Sequence, residues 1–363
     1  MKVACLVPYP VDRVPGQRFR LEQWAKPLRA RGIELEFVPL LSPQTMNVLY
    51  KPGHFAEKAR DILLGCAERL RWTLLDAKRY DVVVVHREAI LLGVDWIERV
   101  LVHRAPTVFD FDDAVWLPNV SAANRRLQFL KGFTKVDRIL GMVSSVSAGC
   151  DYLADRARAV NRHVVVVPTS IDLDLYGTPR KHADVDVLTV GWTGSVTSSE
   201  YLKLAERGLQ LAAKRVAMKV VLLGAPLDYK IPGVDTENVP WSPATETPTI
   251  RRFDIGIKPA PREDWARGKC PMKDIQYMAL GIPCVATRFG TALESIEDGV
   301  NGFLCDTDED WVTSIAKLRD LKLRIEMGAK ARRVVEDRYS SKVAAERFEE
   351  ALHLAQKTFH SVR

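Results

Sequence analysis

The most informative stretch of the chain is residues 268–283, which read Gly268-Lys269-Cys270-Pro271-Met272-Lys273-Asp274-Ile275-Gln276-Tyr277-Met278-Ala279-Leu280-Gly281-Ile282-Pro283. Pro271 suits the first turn of a helix, where its missing N–H is not needed, and Gly281 followed by Pro283 ends that helix. The free N–H groups at the helix start, with Lys269 and Lys273 beside them, predict a site for a diphosphate. The alternative is a capped surface helix with two solvated lysines.

Two further features of the second half suit a nucleotide ligand. Gln276 lies one turn deeper in the same helix, near Lys273, where its amide can bond ribose hydroxyls. The segment Gly191-Trp192-Thr193-Gly194 follows a predicted strand and precedes a predicted helix. Its glycines let the backbone come close to a phosphate or a sugar, although a plain tight turn explains them equally well.

Short apolar runs alternate with longer amphipathic stretches along the whole chain. The runs predict strands at 3–7, 34–39, 81–86, 107–111, 164–168, 187–190, 220–223, 255–258, 283–286 and 302–305. Helical periodicity predicts helices at 18–31, 55–75, 200–214, 272–280 and 343–358. Strands interleaved with helices indicate βαβ units and parallel sheets.

Because the strand pattern restarts near residue 187, we predict an α/β protein with two doubly wound, Rossmann-like domains. Residues 1–170 form the first domain and residues 187–340 the second, joined by a polar linker at 171–186 that lacks periodicity. A C-terminal helix within residues 341–363 is expected to pack back toward the first domain. Ligands of such sheets bind beyond the carboxyl ends of the strands, and two facing domains place the site in the cleft between them.

Length and composition exclude several classes of protein. The chain has 363 residues, of which 47% are hydrophobic and 27% charged, as in an ordinary globular protein of two domains. Its six cysteines form no C-x-x-C pair, so neither a metal site nor a disulfide framework is indicated. No run approaches the roughly 20 apolar residues of a membrane span, and the apolar stretch at 3–8 is too short for a signal peptide. We expect a cytoplasmic protein.

The positive charge of the chain is unevenly distributed. Residues 1–170 contain 25 Lys and Arg against 18 Asp and Glu, whereas residues 171–363 contain 28 of each. One interpretation is a solvated basic surface; the other is an anionic partner such as a phospholipid surface on the cytoplasmic side of a membrane. Nucleic acid is not expected, because no recognition motif or basic run with interleaved aromatics is present.

Acidic and imidazole side chains follow two predicted strands of the first half. The strand at 81–86 ends in His86 and is followed by Glu88, and the strand at 107–111 contains Asp110 and is followed by Asp112. Buried carboxylates cost free energy unless they are paired, so packing alone explains this cluster poorly. The cluster therefore indicates a functional site, although a purely structural role is an equal alternative for His86.

Taken together, these segments resemble the retaining glycosyltransferases of the GT-B fold, family 4. That family has the sequence E-G-F-G-L-P-x-L-E-A-M-A-x-G-x-P-V-V-A, then a glycine turn and E-x-x-x-D-G-x-x-G. Here the matching positions are residues 277–286, Gly290 and residues 294–302, beginning with Glu294. The segment from Asp81 to Glu88 is similar to the family's strand ending in His-Glu-Pro, and residues 107–113 are similar to the segment ending in Thr-Phe-His.

The chain departs from the family pattern at positions that matter for the donor. The two family glutamates, which hold the donor sugar and the ribose, fall on Gly268 and Gln276. Lys269, Cys270 and Pro271 fall on the Gly-Phe-Gly that approaches the phosphates through backbone N–H groups, and Trp192 stands where an arginine is expected. These losses make the two lysines at the helix start more important for gripping the diphosphate.

The resemblance implies that the donor lies against residues 187–340 and the acceptor against residues 1–170. The expected nucleotide-sugar contacts are Gly191, Trp192, Thr193, Gly194, Lys269, Cys270, Lys273, Gln276 and Glu294. Asp112, which falls on the family's active-site histidine, and His86 are the catalytic candidates. The acceptor-side candidates are Gly16, Arg18, Arg20, Glu88 and Asp110, for whose arginines a solvated helix face is the alternative.

The implied function is transfer of a hexose from a nucleotide-diphosphate sugar to a hydroxyl of a glycan or lipid-linked acceptor, with retention, as in polysaccharide biosynthesis. The leaving diphosphate takes the acceptor proton on the same face, so neither a metal nor another cofactor is required. Loss of the family glutamates keeps a rival open, a non-catalytic nucleotide-sugar-binding protein or transferase subunit. A second rival reads Asp110-Phe111-Asp112 as the metal-binding Asp-x-Asp of the unrelated GT-A enzymes; it ranks lower because the nucleotide-type motifs lie near 191 and 270.

Overall fold

A computed structural model describes residues 1–49, 53–117, 132 and 134–361 of the chain. The polypeptide divides into two compact units. The first comprises residues 1–170 together with 341–363, and the second comprises residues 171–340. Each unit is built on a parallel sheet with its own hydrophobic core.

The first unit contains a parallel sheet in the order β2-β1-β3-β4-β5-β6. Its strands are β1 (Lys2–Val7), β2 (Glu34–Pro39), β3 (Val82–His86), β4 (Thr107–Phe111), β5 (Ser145–Ala148) and β6 (Val164–Val166). Strands β3, β4 and β5 are buried along their whole length, because helices cover both faces of a doubly wound sheet. His86 pairs with Asp110 in the register of β3 and β4, so the two polar side chains reach the same edge.

Helices connect these strands. They are α1 (Pro15–Gln17), α2 (Gln23–Ala30), α3 (Pro43–Leu49), α4 (Phe55–Leu75), α5 (Trp96–Leu101), α6 (Lys135–Met142) and α7 (Asp151–Arg158). A π-helical turn at Arg18–Glu22 separates α1 from α2, so the predicted helix at 18–31 is divided. This turn carries Arg20 inward, where its side chain is fully buried.

The second unit repeats the architecture with the order β12-β11-β10-β7-β8-β9. Its strands are β7 (Leu188–Thr193), β8 (Met218–Leu223), β9 (Asp235–Val239), β10 (Ile255–Lys258), β11 (Cys284–Thr287) and β12 (Gly302–Cys305). Its helices are α8 (Leu173–Tyr176), α9 (Lys203–Arg215), α10 (Pro243–Ile250), α11 (Asp264–Arg267), α12 (Met272–Ala279), α13 (Ala292–Ser295), α14 (Asp308–Lys317) and α15 (Leu321–Val334). The α/β prediction is confirmed.

The last helix, α16 (Ser341–Ser361), packs in the first unit. Phe348 packs against Trp24 of α2 with ring centroids 5.0 Å apart and the ring planes tilted by 47°. The Ser145 hydroxyl at the start of β5 donates to the carbonyl of Ala351 at 2.8 Å. The helix thus covers one face of the sheet with small and aromatic side chains, since Ala344, Ala345 and Ala351 are fully buried there.

Residues 171–186, expected to form a linker, belong to the second unit instead. They contain α8 and are held to that unit by two contacts. Arg251 donates to the Tyr176 carbonyl at 2.6 Å, and the ring of His182 bonds the Gly281 carbonyl at 2.8 Å. The prediction was wrong because non-periodic, polar sequence does not distinguish a linker from a segment held by side chains elsewhere in the sequence. Within the described part of the chain, no helix is both long and apolar enough to cross a membrane.

Candidate functional site

The first candidate site lies at the start of α12. The helix begins directly after Pro271, whose φ of −79° and ψ of 42° mark it as the residue that turns the chain into the helix. Lys273 occupies the first turn, and its ammonium lies over the indole ring of Trp192, 5.2 Å from the ring centroid. The ammonium of Lys269 lies 5.0 Å from the ring centroid of Trp265 in the same way.

The electrostatics of this helix start are unusual. Burial, together with the positive charges of Lys269 and Lys258, lowers the pKa of Lys273 to about 7. A lysine with this pKa is only partly charged near neutrality and gains a proton readily when an anion approaches. The site therefore favours a ligand that brings negative charge.

Lys258, Lys269 and Lys273 form a cluster of lysines at the start of α12, and the sequence pattern did not identify Lys258 as a member. Lys258 ends β10, and its ammonium forms an ion pair of 2.8 Å with the fully buried carboxylate of Asp274. Asp274 also accepts from the hydroxyl of Ser295 at 3.0 Å. A lysine that closes an apolar strand, Ile255-Gly256-Ile257-Lys258, is the signal that could have identified it.

The segment Gly191 to Gly194 differs from its prediction. Strand β7 continues through Thr193, so Gly191 lies inside the strand and not in a turn after it. A Cβ at Gly191 would stand 2.0 Å from the ring of Phe253, and a Cβ at Gly194 would stand 2.3 Å from the ring of Trp192. Both glycines therefore make room for aromatic rings of the protein, and the turn that follows β7 begins only at Gly194.

Trp192 and Thr193 form part of the same region. The Trp192 side chain is fully buried, and its indole N–H has no acceptor among the described residues. The Thr193 backbone N–H donates to the hydroxyl of Tyr277 on α12 at 3.0 Å. The end of β7 and helix α12 are thus fastened together, with the Lys273 ammonium above the indole ring.

Gln276 and Glu294, two further predicted donor contacts, follow Lys273 in the sequence. The Gln276 side chain is 5% exposed, and its amide nitrogen donates to the hydroxyl of Tyr176 at 2.9 Å. That hydroxyl also donates to Glu246 at 3.3 Å. Glu294 is half-buried on the short helix α13, and its backbone carbonyl accepts from Arg338 at 3.0 Å. A ribose contact by Gln276 stays a prediction, as do the roles of Glu294 and of the half-buried Cys270.

The second candidate site lies at the carboxyl edge of the first sheet, around Asp110. The guanidinium of Arg20 donates to both oxygens of this carboxylate at 2.7 to 3.0 Å. The Nδ1 atom of His86 lies 2.7 Å from its Oδ2, and the hydroxyl of Ser147 donates to its Oδ1 at 2.7 Å. Burial opposes ionisation of Asp110, but the charge of Arg20 outweighs it and holds the pKa of Asp110 below its ordinary value.

Asp112 belongs to a neighbouring pair. Its Oδ1 accepts from Arg87 at 2.7 Å, and burial, which would raise its pKa, is outweighed by the Arg87 charge, so the pKa of Asp112 is lowered. Arg87 has a positive φ of 65° and also contacts Asp113 at 2.9 Å. Gly16 adjoins this pair, since a Cβ there would stand 3.1 Å from the Arg87 guanidinium.

The other acceptor-side candidates have different partners from Asp112. Glu88 forms an ion pair of 3.0 Å with Lys135, which also donates to the carbonyls of Ile90 and Leu92. The half-buried Arg18 stacks over the ring of Phe19. Arg20, by contrast, donates to the Asp110 carboxylate, to the Val167 carbonyl and to the Ser147 hydroxyl, all of which are buried.

The Asp-x-Asp alternative fits these contacts poorly. A divalent cation requires carboxylate oxygens that point to the metal, but both oxygens of Asp110 already accept from Arg20, His86 and Ser147. Asp112 is paired with a cation of the protein, Arg87. Among the described residues, no group of three His, Cys, Asp or Glu side chains is arranged to hold a metal ion.

Comparison with known proteins agrees with the sequence resemblance. Residues 187–320 match the family model "Glycosyl transferases group 1". A stretch of 78 residues is 35% identical to N-acetyl-alpha-D-glucosaminyl L-malate synthase of Bacillus anthracis, covering 21% of this chain and 20% of that protein. The match therefore spans about a fifth of that curated relative.

Solved structures match the whole chain. A glycosyltransferase from Rickettsia africae has a TM-score of 0.68 at 14% identity, with 98% of each chain covered. Sucrose-phosphate synthase from Thermosynechococcus elongatus has a TM-score of 0.69 at 13% identity and 99% coverage of both chains. Anabaena Alr3699/HepE, solved with UDP and glucose, has a TM-score of 0.65 at 16% identity, covering 97% of this chain and 99% of its own. The GT-B fold is confirmed, as is the resemblance to its glycosyltransferases.

Proposed function

We propose that the chain is a glycosyltransferase that moves a sugar from a nucleotide-diphosphate donor to a hydroxyl group of an acceptor. The observation that carries this proposal is the concentration of positive charge at the start of α12, where burial and the charges of Lys269 and Lys258 lower the pKa of Lys273 to about 7. The Asp274 carboxylate forms an ion pair with Lys258 at 2.8 Å, and its charge only partly opposes the lowering of the Lys273 pKa. A diphosphate at this position would offset the remaining charge and receive charge-assisted hydrogen bonds.

The same cluster would serve the chemical step. As the glycosidic bond to the diphosphate breaks, negative charge develops on the leaving oxygen, and lysines fixed beside it would stabilise that charge without reorganising. We infer retention of configuration from the family resemblance: the leaving diphosphate accepts the proton of the acceptor hydroxyl on the same face of the sugar. The protein then supplies position and charge, and no nucleophile of its own.

In the first unit, Asp112 is the proposed catalytic residue. Its Oδ1 is held by Arg87 at 2.7 Å, and its lowered pKa keeps the carboxylate ionised at neutral pH. An ionised carboxylate can accept a hydrogen bond from a sugar or acceptor hydroxyl and offset positive charge on the sugar ring. His86 would act beside it, fixed in orientation by its bond to Asp110.

We further propose that the transferred sugar is a hexose, that the acceptor is a glycan or a lipid-linked glycan at the cytoplasmic face of a membrane, and that no metal is required. The lysines would replace the divalent ion that other transferases use to neutralise the diphosphate. The excess of Lys and Arg in residues 1–170, 25 against 18 acidic residues, supports an acceptor presented on an anionic surface.

A second candidate is a nucleotide-sugar-binding protein without turnover. The observation that favours it is the loss of both family glutamates, since Gly268 has no side chain and the Gln276 amide is engaged by Tyr176 at 2.9 Å. Both candidates bind the donor, so binding alone does not separate them.

The experiment begins with thermal-shift measurements on UDP-, GDP- and ADP-sugars, where a ligand at 100 times its dissociation constant stabilises by about 2.7 kcal/mol. For the nucleotide selected, Lys273→Ala should weaken binding at least tenfold by calorimetry, because a charge-assisted bond contributes about 1.5 to 3 kcal/mol. Lys330→Ala, which removes an exposed lysine of the same unit, is the matched control. Unchanged affinity in both Lys269→Ala and Lys273→Ala would remove the diphosphate assignment.

Turnover of a radiolabelled donor then distinguishes the two candidates. Release of nucleoside diphosphate, with an acceptor or by slow hydrolysis without one, supports the transferase. Tight binding with no release under either condition supports the binding protein.

A further inference from the structure

The tryptophan near the end of β7 carries a polar group that its packing leaves unsatisfied. The Trp192 side chain is fully buried, and its indole N–H has no acceptor among the described residues. A buried donor without an acceptor costs free energy, and a phenylalanine would fill much of the same space without that cost. Packing alone therefore does not explain a tryptophan at this position.

The contacts of the indole ring show what else it serves. A Cβ at Gly194 would stand 2.3 Å from the six-membered ring of Trp192, so the loop after β7 lies directly on the ring. The neighbouring Thr193 N–H donates to the Tyr277 hydroxyl at 3.0 Å and fastens this part of β7 to α12. The Lys273 ammonium lies over the ring, 5.2 Å from its centroid. A fixed aromatic ring thus meets the cation at the helix start.

The charged neighbours of Lys273 leave its ammonium poorly supported. Lys269 and Lys258 disfavour the charged form, as does burial. The Asp274 carboxylate favours it, but this group forms an ion pair with Lys258 at 2.8 Å. The face of an aromatic ring attracts a cation through its quadrupole, most strongly for tryptophan and in a site shielded from water. An indole supports the ammonium without adding a negative charge that would repel a diphosphate.

We propose that Trp192 is a positioning residue of the α12 site: its indole face holds the Lys273 ammonium at the helix start, and the indole itself does not touch the ligand. The ring is fully buried, whereas Lys273 is only half-buried, so an anion meets the lysine and not the ring. This role differs from the direct nucleotide contact that the sequence resemblance implies for Trp192. The identity of the anion rests on the proposed function, but the effect of the ring on Lys273 can be measured without any ligand.

The first measurement is the titration of Lys273 in the ligand-free full chain. The lysines are reductively methylated with ¹³C-labelled formaldehyde, and the Lys273 resonance is assigned by its absence in Lys273→Arg. The pKa of Lys273 is about 7 in the unaltered protein. In Trp192→Leu we expect the titration midpoint to fall by about one pH unit, because a desolvated contact with an indole face favours the ammonium roughly tenfold.

Trp311→Leu is the matched control. Trp311 is another buried tryptophan of the second unit, 4% exposed, on α14 against Gly208 of α9. Both leucine variants should be less stable in urea, because each loses a buried ring, but Trp311→Leu should leave the Lys273 titration unchanged. Trp192→Phe keeps an aromatic face and should move the midpoint less than half as far as Trp192→Leu.

A change without loss of shape covers the case in which Trp192→Leu does not fold. All eight tryptophans are replaced by 5-fluorotryptophan through the growth medium, which weakens the negative potential of the ring face. The Lys273 midpoint should fall in the fluorinated protein. Fluorination of the Trp192→Phe variant should not move it, because no tryptophan then lies beneath the ammonium.

Donor affinity at two pH values separates support of Lys273 from direct contact with the ligand. For the nucleotide sugar selected by thermal shift, Trp192→Leu should bind about two- to threefold more weakly than the unaltered protein at pH 7, where the two proteins differ in the protonated fraction of Lys273. At pH 5 both carry the protonated lysine, and the affinities should agree within about 1.5-fold.

Three outcomes would overturn the assignment. They are an unchanged Lys273 midpoint in folded Trp192→Leu or in the fluorinated protein, an equal change in Trp311→Leu, and a loss of donor affinity that is the same at pH 5 and pH 7. The last would mean that the indole contacts the ligand directly. If the unaltered protein binds no nucleotide sugar, the proposed function fails, while the ligand-free titration still decides whether Trp192 supports Lys273.

Discussion

The two candidate sites differ in whether the protein itself neutralises their charged groups. In the first unit, the Asp110 carboxylate receives hydrogen bonds from Arg20, His86 and Ser147. At the start of α12, burial and the charges of Lys269 and Lys258 disfavour the ammonium of Lys273. The charge of Asp110 is thus balanced by groups of the protein, whereas the charged form of Lys273 becomes favourable only when an anion binds beside it.

This difference separates a structural contribution from a ligand site. A buried ion pair whose members satisfy each other stabilises the fold only slightly, but removal of one member leaves a charge without its partner. A cluster of like charges costs stability, and a bound anion reverses that cost. Substitutions in the two sites should therefore have opposite effects on the stability of the protein without ligand.

The largest expected effect is on folding, from Arg20→Ala. Both Arg20 and Asp110 are fully buried, so this change leaves the Asp110 carboxylate without its guanidinium and should destabilise the first unit by about 3 to 5 kcal/mol. Lys273→Ala should leave the stability of the ligand-free protein unchanged or slightly increased, because it removes a disfavoured charge. Urea unfolding followed by circular dichroism measures both.

Arg29→Ala is the control for Arg20→Ala, because Arg29 is an exposed arginine on the neighbouring helix α2. It should change the free energy of unfolding by no more than about 0.5 kcal/mol. If Arg20→Ala is as mild as Arg29→Ala, the network around Asp110 is not a structural one, and the contrast between the two sites is wrong.

The next effect is on turnover, from Asp112→Asn. The substitution keeps the shape of the side chain and removes the charge that we propose to act on the transferring sugar, so turnover should fall about a hundredfold. Nucleotide affinity should stay within about threefold, since the proposed donor contacts lie in the second unit. Activity should also survive dialysis followed by excess EDTA.

Asp113→Asn is the matched control, because Asp113 also contacts Arg87, at 2.9 Å, but its side chain is 41% exposed, against 6% for Asp112. It should reduce turnover less than threefold. Complete loss of activity on chelation, restored by manganese or magnesium, would revive the Asp-x-Asp interpretation and move the donor site to the first unit.

Much of the fold could be predicted from the sequence, because buried parallel strands have a strong local signal. The strands at 34–39, 107–111, 255–258 and 302–305 have the predicted bounds, and α4 spans the predicted residues 55–75. Strand β5, Ser145–Ala148, was missed because two of its four residues are serines. Strand β9, Asp235–Val239, was missed because it is mostly polar and only partly buried.

The site was harder to predict, since its geometry depends on residues distant in sequence. The interpretation of Gly191 as part of a turn failed because the ring of Phe253, 62 residues later, occupies the space where its side chain would lie. The pair of Lys258 and Asp274 joins the end of a strand to a helix, which no local pattern indicates. His86 and Asp110, by contrast, were predictable, because both stand at strand ends that register places side by side.

The smallest expected effect is the pH dependence of donor binding, and it tests the α12 site directly. Since the pKa of Lys273 is about 7 in the ligand-free protein, its side chain is mostly protonated at pH 6 and mostly neutral at pH 9. A bound diphosphate favours the protonated form, so affinity for the nucleotide-diphosphate sugar should fall about three- to tenfold between these pH values. The diphosphate of a nucleotide sugar keeps the same charge over this range, and calorimetry at pH 8 in two buffers of different ionisation enthalpy should show proton uptake on binding. Lys273→Arg should bind with little pH dependence and no uptake, because a guanidinium remains charged throughout. If donor affinity changes equally with pH in Lys273→Arg and in the unaltered protein, another group titrates. The contrast between the two sites would then be wrong, because Lys273 would not need an anion to neutralise its charge.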